Sequence, residues 1–154
     1  MSGRARSSVP DVLNVLYVED YAPGAALVLG SVKWHAPDIH LEVVSTAAEA
    51  IERLERFEMD RGDLTRDQKG QALRYDVVLT DLDLPDGSGL DILAHVRRRN
   101  LMLAVVILTA SVEEDTMTGV LQAGADGYIA KRNDYLVQLP SALRAAAGRR
   151  PTGR

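Results

Sequence analysis

The chain has 154 residues, a formal net charge of −4, an apolar share of 46% and no cysteine. That is enough chain for one domain with its own core, since domains commonly run to about 100–150 residues, and the apolar share argues against wholesale disorder. Disulfides and thiolate metal sites are excluded, no global basic field favours nucleic acid, and no apolar run approaches the ~18 residues of a membrane span.

The start MSGRARSSVPD is basic and polar and lacks an apolar centre, so no signal peptide is read there. Residues 1–11 are expected to form a flexible arm, and a reducing cytoplasm fits the missing cysteines. Val12–Val18 is a short apolar, β-branched run stopped by charge and reads as a buried strand. Residues 22–36 carry Ala25, Leu29, Val32 and Ala36 at helical spacing, with Pro23 suited to a first turn. Leu41–Val44 reads as a second strand. Thr46-Ala-Ala-Glu49 is a capping box that opens a helix with Ala47, Ala50, Ile51 and Leu54 on one face. Residues 58–75 are polar, charge-rich and longer than an ordinary connection of about 2–6 residues, so they read as an insertion.

Asp76–Thr80 is a third strand, and it ends in the acidic turn Asp81-Leu-Asp83-Leu-Pro-Asp-Gly87. Gly89, Ile92, Leu93 and Val96 mark a third helix, and Ala104–Leu108 a fourth strand. Ser111-Val-Glu-Glu114 reads as a second capping box, with Met117, Val120 and Leu121 continuing that helix until Gly124. Gly127–Ala130 is a short fifth strand. Pro140 predicts a turn up to Leu139 and a main helix from Pro140 onward, within a last helical stretch over 134–147. Five apolar strands alternating with five helices predict an α/β fold, a parallel sheet covered on both faces. The doubly wound order 2-1-3-4-5, the flavodoxin-like (βα)5 arrangement, is the natural candidate.

In such sheets function sits beyond the carboxyl ends of the strands. There the first strand delivers Glu19 and Asp20, the third Asp81 and Asp83, the fourth Thr109 and the fifth Lys131. Clustered carboxylates repel and call for a cation, and hard oxygen ligands suit Mg²⁺. A carboxylate can attack phosphorus to form an aspartyl phosphate. Phosphoryl transfer needs positioning and charge neutralisation, which Lys131, a hydrogen bond from Thr109 and Mg²⁺ would supply. Each signal alone is weak; the information lies in four strands ending in complementary groups.

The stretches VLYVED (15–20), VVLTDLDLPDGSGLDIL (77–93), VVILTA (105–110) and GADGYIAK (124–131) resemble the receiver domain of two-component response regulators. The resemblance covers nearly the whole chain. It implies a receiver domain over 12–147 with the insertion at 58–75, and a tail at 148–154. It implies that Asp81 is the phosphoacceptor and that Asp20 binds Mg²⁺ (or Mn²⁺) directly, with Glu19 acting more through water. Asp83 would offer its backbone carbonyl to the metal, and Thr109 and Lys131 would contact the phosphoryl group. Tyr128 stands where the family's aromatic switch residue lies, coupled to Thr109. The family implies a histidine kinase or phosphotransfer protein as donor, a downstream protein as receiver of the signal, and no enzymatic turnover beyond its own phosphorylation and dephosphorylation. With no room after residue 150 for a DNA-binding domain, a stand-alone, single-domain regulator is expected, with a homodimer contact through the insertion or the final helix left open.

Arg132 follows Lys131 where the family usually has proline, so a trans peptide and a changed loop are expected. Asp83 and Ser111 lie where the family tunes dephosphorylation. Two rival readings remain. Asp81-Leu-Asp83 resembles the nucleophile motif of haloacid-dehalogenase-type phosphatases, although that family places it on the first strand. A flavodoxin-like cofactor module would need a phosphate loop after the first strand, where EDYAPG stands.

Overall fold

A computed structural model describes residues 12–60, 75–110 and 113–149, with 57–60 described by backbone alone. The N-terminal arm, residues 61–74 of the expected insertion, Ser111 and the tail from residue 150 lie outside the described residues.

The elements run β1 (Leu13–Val18), α1 (Ala22–His35), β2 (Ile39–Val44), α2 (Ala47–Asp60), β3 (Val77–Asp81), β4 (Asp83–Leu84), β5 (Gly87–Ser88), α3 (Gly89–Arg98), β6 (Ala104–Thr109), α4 (Glu114–Gln122), β7 (Gly127–Ala130) and α5 (Tyr135–Arg149). Five parallel strands form one sheet in the order β2-β1-β3-β6-β7. The two-residue strands β4 and β5 pair with each other as a small antiparallel hairpin directly after β3. With that hairpin set aside, the order is the expected 2-1-3-4-5.

The strand runs are apolar at nearly every position because helices cover both faces of the sheet. On one face Leu13, Val15 and Tyr17 of β1 pack with Val28 and Val32 of α1 and Leu139 and Leu143 of α5. On the other, Leu16 and Val18 pack with Ala50 and Leu54 of α2 and Ile92, Leu93 and Val96 of α3. Each large side chain withdrawn this way contributes about 1.5–3 kcal/mol, so the strand ends are held on a rigid frame.

Several expectations are corrected. In α1 the buried positions are Ala25, Val28 and Val32, whereas Leu29 is partly exposed. The helix is apolar on all sides, which leaves its spacing without a clear face. The helix of α2 continues to Asp60, so the first three residues of the expected insertion are helical. Glu49 N–H donates to Thr46 Oγ1 at 3.0 Å, as the capping box requires, but the Glu49 carboxylate accepts from Ser45 N–H. A distant group completes this cap: the Asp86 carboxylate accepts from Ala47 N–H at 2.8 Å and Ala48 N–H at 2.9 Å, which ties the hairpin to α2. Those two donors hold the Asp86 carboxyl below the usual carboxylate range.

The second expected box is displaced: α4 starts at Glu114 with Glu113 as its cap and no side-chain cap bond, and only Val120 of that helix is buried. A full capping box does close α3, where Ser88 Oγ accepts from Leu90 N–H and Asp91 accepts from Ser88 N–H. The last helix does not begin at Pro140. It is continuous from Tyr135, with Pro140 inside it. An interior proline withholds one helical hydrogen bond and costs about 3 kcal/mol or more. Burial of Leu139, Leu143, Ala146 and Ala147 against the sheet offsets that cost. The described peptide bonds are all trans, that between Lys131 and Arg132 included, and Asn133 just beyond takes a left-handed φ of 54°. No described helix is long and apolar enough to cross a membrane.

Candidate functional site

Strand parity builds the site. Side chains alternate between faces along a strand, so Glu19, two residues after Tyr17, falls on the face that carries the α1–α5 core. Asp81 follows Leu79 of the same cluster, and Lys131 follows Ile129. The three groups therefore meet at the carboxyl rim of the sheet, Glu19 and Asp81 from the adjacent strands β1 and β3 and Lys131 reaching across β6 from the end of β7. Lys131 Nζ donates to Glu19 Oε1 at 2.8 Å and to Asp81 Oδ2 at 3.3 Å. Thr109, wholly buried, anchors the arrangement through its carbonyl, which accepts from Lys131 N–H at 2.7 Å.

Glu19 is the most withdrawn of the acids, with a side chain 1% exposed. Its Oε1 also takes the Tyr17 hydroxyl at 3.4 Å, and its Oε2 accepts from Tyr21 N–H at 3.2 Å. Asp20 is exposed and Asp81 half-buried. The close approach of α3 depends on Gly89: a Cβ there would stand 2.6 Å from the Asp81 carbonyl and 3.0 Å from Thr80 Cγ2. Thr80 Oγ1 also donates to the Asp81 carbonyl, at 2.9 Å. Asp83 lies on the hairpin, exposed and paired with Ser88.

Burial pushes the Asp81 carboxyl above the usual carboxylate range; Lys131 pulls it back and Glu19 raises it again. Burial alone would lower the Lys131 ammonium, but its bonds to Glu19 and Asp81 outweigh that and leave it above its usual value. Lys131 therefore stays charged. One ammonium faces three carboxylates, so the rim keeps an excess of negative charge.

Glu19, Asp20 and Asp81 each offer an oxygen such that all three lie within 4.8 Å of one another, and among the described residues this is the one such group. The donors are all hard carboxylate oxygens, which fits a hard divalent cation. By strand parity Tyr128 falls on the face of the sheet opposite Ile129, which precedes Lys131. It pairs in register with Ile107 and packs half-buried against the other core cluster, on the same face of the sheet to which parity assigns Thr109.

The sequence reading missed Tyr17, Thr80 and Gly89. Tyr17 carried a signal, a hydroxyl two residues before Glu19 in an otherwise apolar strand. The other two contacts depend on how closely α3 approaches β3.

Residues 15–143 match the family described as the response regulator receiver domain. Among curated proteins, the cell cycle transcriptional regulator CtrA of Caulobacter vibrioides is 31% identical over 116 residues, covering 70% of this chain and 50% of that protein. The nitrate/nitrite response regulator NarP of Escherichia coli is 41% identical over 75 residues, covering 49% of this chain and 34% of NarP. The chain thus spans about half the length of CtrA and less of NarP. Among solved structures, the signal receiver domain of a Vibrio parahaemolyticus LuxO repressor superposes with a TM-score of 0.69 at 25% identity, covering 90% of this chain and 93% of that one. A Francisella receiver domain superposes with a TM-score of 0.70 at 20% identity, covering 89% and 98%, and supports the fold alone.

Proposed function

Because this chain belongs to the response regulator receiver domain family, we propose that Asp81 is its phosphoacceptor and that the rim around it is a Mg²⁺-dependent switch site. A receiver of this kind is a phosphoacceptor switch and not an enzyme, so the phosphatase and cofactor-module readings are not favoured. The observation that carries the assignment is Lys131 Nζ bridging Glu19 and Asp81, with Asp20 within reach of the same point.

In the proposed reaction, an Asp81 carboxylate oxygen attacks the phosphorus of a phosphohistidine on a histidine kinase or phosphotransfer protein. The Asp81 O–P bond forms, the P–N bond breaks, and the electron pair returns to the imidazole, which takes up a proton. Lys131 neutralises charge on the equatorial oxygens and Thr109 donates a hydrogen bond to one of them. Asp20 and Asp81 would hold Mg²⁺ (or Mn²⁺) directly, with Glu19 through water and the Asp83 carbonyl completing the protein ligands. When bound, the cation supplies further charge neutralisation at the transferring group.

Thr109 and Tyr128 form the switch, Thr109 moving toward the phosphoryl group and Tyr128 following into the space it leaves. Their shared face of the sheet supports this pairing. Output passes by protein–protein contact to a downstream partner or a second copy, which size-exclusion chromatography of modified protein distinguishes. A cytoplasmic location belongs to the same proposal, and cell fractionation tests it.

Acetyl phosphate or beryllofluoride with Mg²⁺ is expected to modify the wild-type protein and not Asp81→Asn. Equal modification of both would overturn the assignment.

A further inference from the structure

Tyr17 is an anomaly in the core. It is wholly buried in the central part of the sheet, among Val15, Val28 and Leu139, yet it carries a polar hydroxyl. A buried hydroxyl needs a partner, and the one it reaches is Glu19 Oε1, at 3.4 Å. A tyrosine hydroxyl carries its proton at neutral pH, so it stands as the donor in this contact.

The same Glu19 oxygen takes Lys131 Nζ, which also reaches Asp81. The shorter of the two Lys131 contacts, 2.8 Å against 3.3 Å, goes to Glu19. A group arriving on Asp81 must therefore draw the ammonium away from Glu19. The Glu19 side chain is 1% exposed, and a buried carboxylate losing a donor is costly.

We propose that Tyr17 is a positioning residue of the phosphoacceptor site: its hydroxyl holds the Glu19 carboxylate in place while Lys131 shifts from Glu19 toward the group on Asp81. The inference rests on the phosphoacceptor reading above. The hydroxyl competes with Lys131 for one oxygen, weakening the Lys131–Glu19 bond at rest and compensating Glu19 once Lys131 has moved. Without it, Lys131 is held more tightly by Glu19 and the modified state is disfavoured.

The test compares wild type, Tyr17→Phe and Tyr17→Met at fixed Mg²⁺. The readouts are the beryllofluoride concentration that half-shifts the melting temperature and the rate of modification by acetyl phosphate. Both variants lack the hydroxyl but differ in shape, and ordinary melts without ligand show whether each is folded. The half-shift concentration is expected to rise about 5- to 10-fold in both, the loss of one long hydrogen bond to a charged group. In a Glu19→Gln background the same substitutions are expected to have a much smaller effect, because the hydroxyl acts through that carboxylate.

If Tyr17→Phe matches wild type and only Tyr17→Met is impaired, the ring's packing matters and the proposal fails. It fails equally if the effect is undiminished beside Glu19→Gln. If wild type itself is not modified, the phosphoacceptor reading falls instead.

Discussion

Asp81→Asn should make the metal-free protein more stable at neutral pH. With oxygens within 4.8 Å, Glu19 and Asp20 each repel a charged Asp81. That repulsion is about 3.5 kcal/mol per neighbour at an effective dielectric near 20, and less for Asp20, which faces solvent. Lys131, 3.3 Å away, returns about 5 kcal/mol on the same scale. The charge terms nearly cancel, and the partial desolvation of the carboxylate is left over, a cost that asparagine does not carry. A net gain of about 1–2 kcal/mol is expected, and the melting temperature rises about 2–4 °C per kcal/mol in a domain near this size.

The pH dependence follows from the raised carboxyl. The folded protein keeps the Asp81 proton to higher pH than the unfolded chain does. As pH rises from the ordinary carboxylate range through the raised value, wild type loses stability relative to Asp81→Asn, and the gap is complete above that value. The assay is a series of urea and thermal melts from acid to neutral pH in a chelator, followed by circular dichroism. Saturating Mg²⁺ should close the gap, since a ligand at 100 times its dissociation constant stabilises the folded state by about 2.7 kcal/mol. A variant less stable than wild type at neutral pH, or a gap that does not change with pH, would refute this electrostatic picture of the rim.

Gly89→Ala places a Cβ against the Asp81 carbonyl and Thr80, neither of which can swing aside, and should cost about 1–3 kcal/mol in a urea melt while slowing modification of Asp81; a wild-type midpoint would show that α3 yields more easily. Asp86→Ala removes the acceptor for two N–H groups of α2 and should lower the melting temperature. Because the Asp86 carboxyl is held low, its contribution is full above the ordinary carboxylate range and fades as pH falls through the lowered value, so variant and wild type should converge in acid.

The sheet was legible because its strands are buried on both faces: Val77–Leu79 and Val105–Leu108 are apolar without interruption, a pattern that helices on a surface do not carry. Parity did the rest, bringing Glu19, Asp81 and Lys131 to one rim from positions far apart in sequence. What stayed hidden depends on tertiary context. The Asp86 cap joins groups 38 and 39 residues apart, and no local pattern announces it. Pro140 reads locally as a helix start, and only the packing of α5 on the sheet overrides that reading. Leu29 stands at helical spacing with Ala25 and Val32 yet is partly exposed, because the apolar residues of α1 do not single out one face and only packing on the sheet sets its orientation. Tyr17 looked like one more strand residue until its hydroxyl could be followed to Glu19.

The most direct test of the central claim is to trap the acyl phosphate. Protein treated with acetyl phosphate and Mg²⁺ is reduced with borohydride, which converts an aspartyl phosphate to homoserine, and its peptides are then mapped by mass spectrometry. Homoserine at position 81 is the result the site predicts. Homoserine at Asp20 or Asp83, with Asp81 intact, would contradict it.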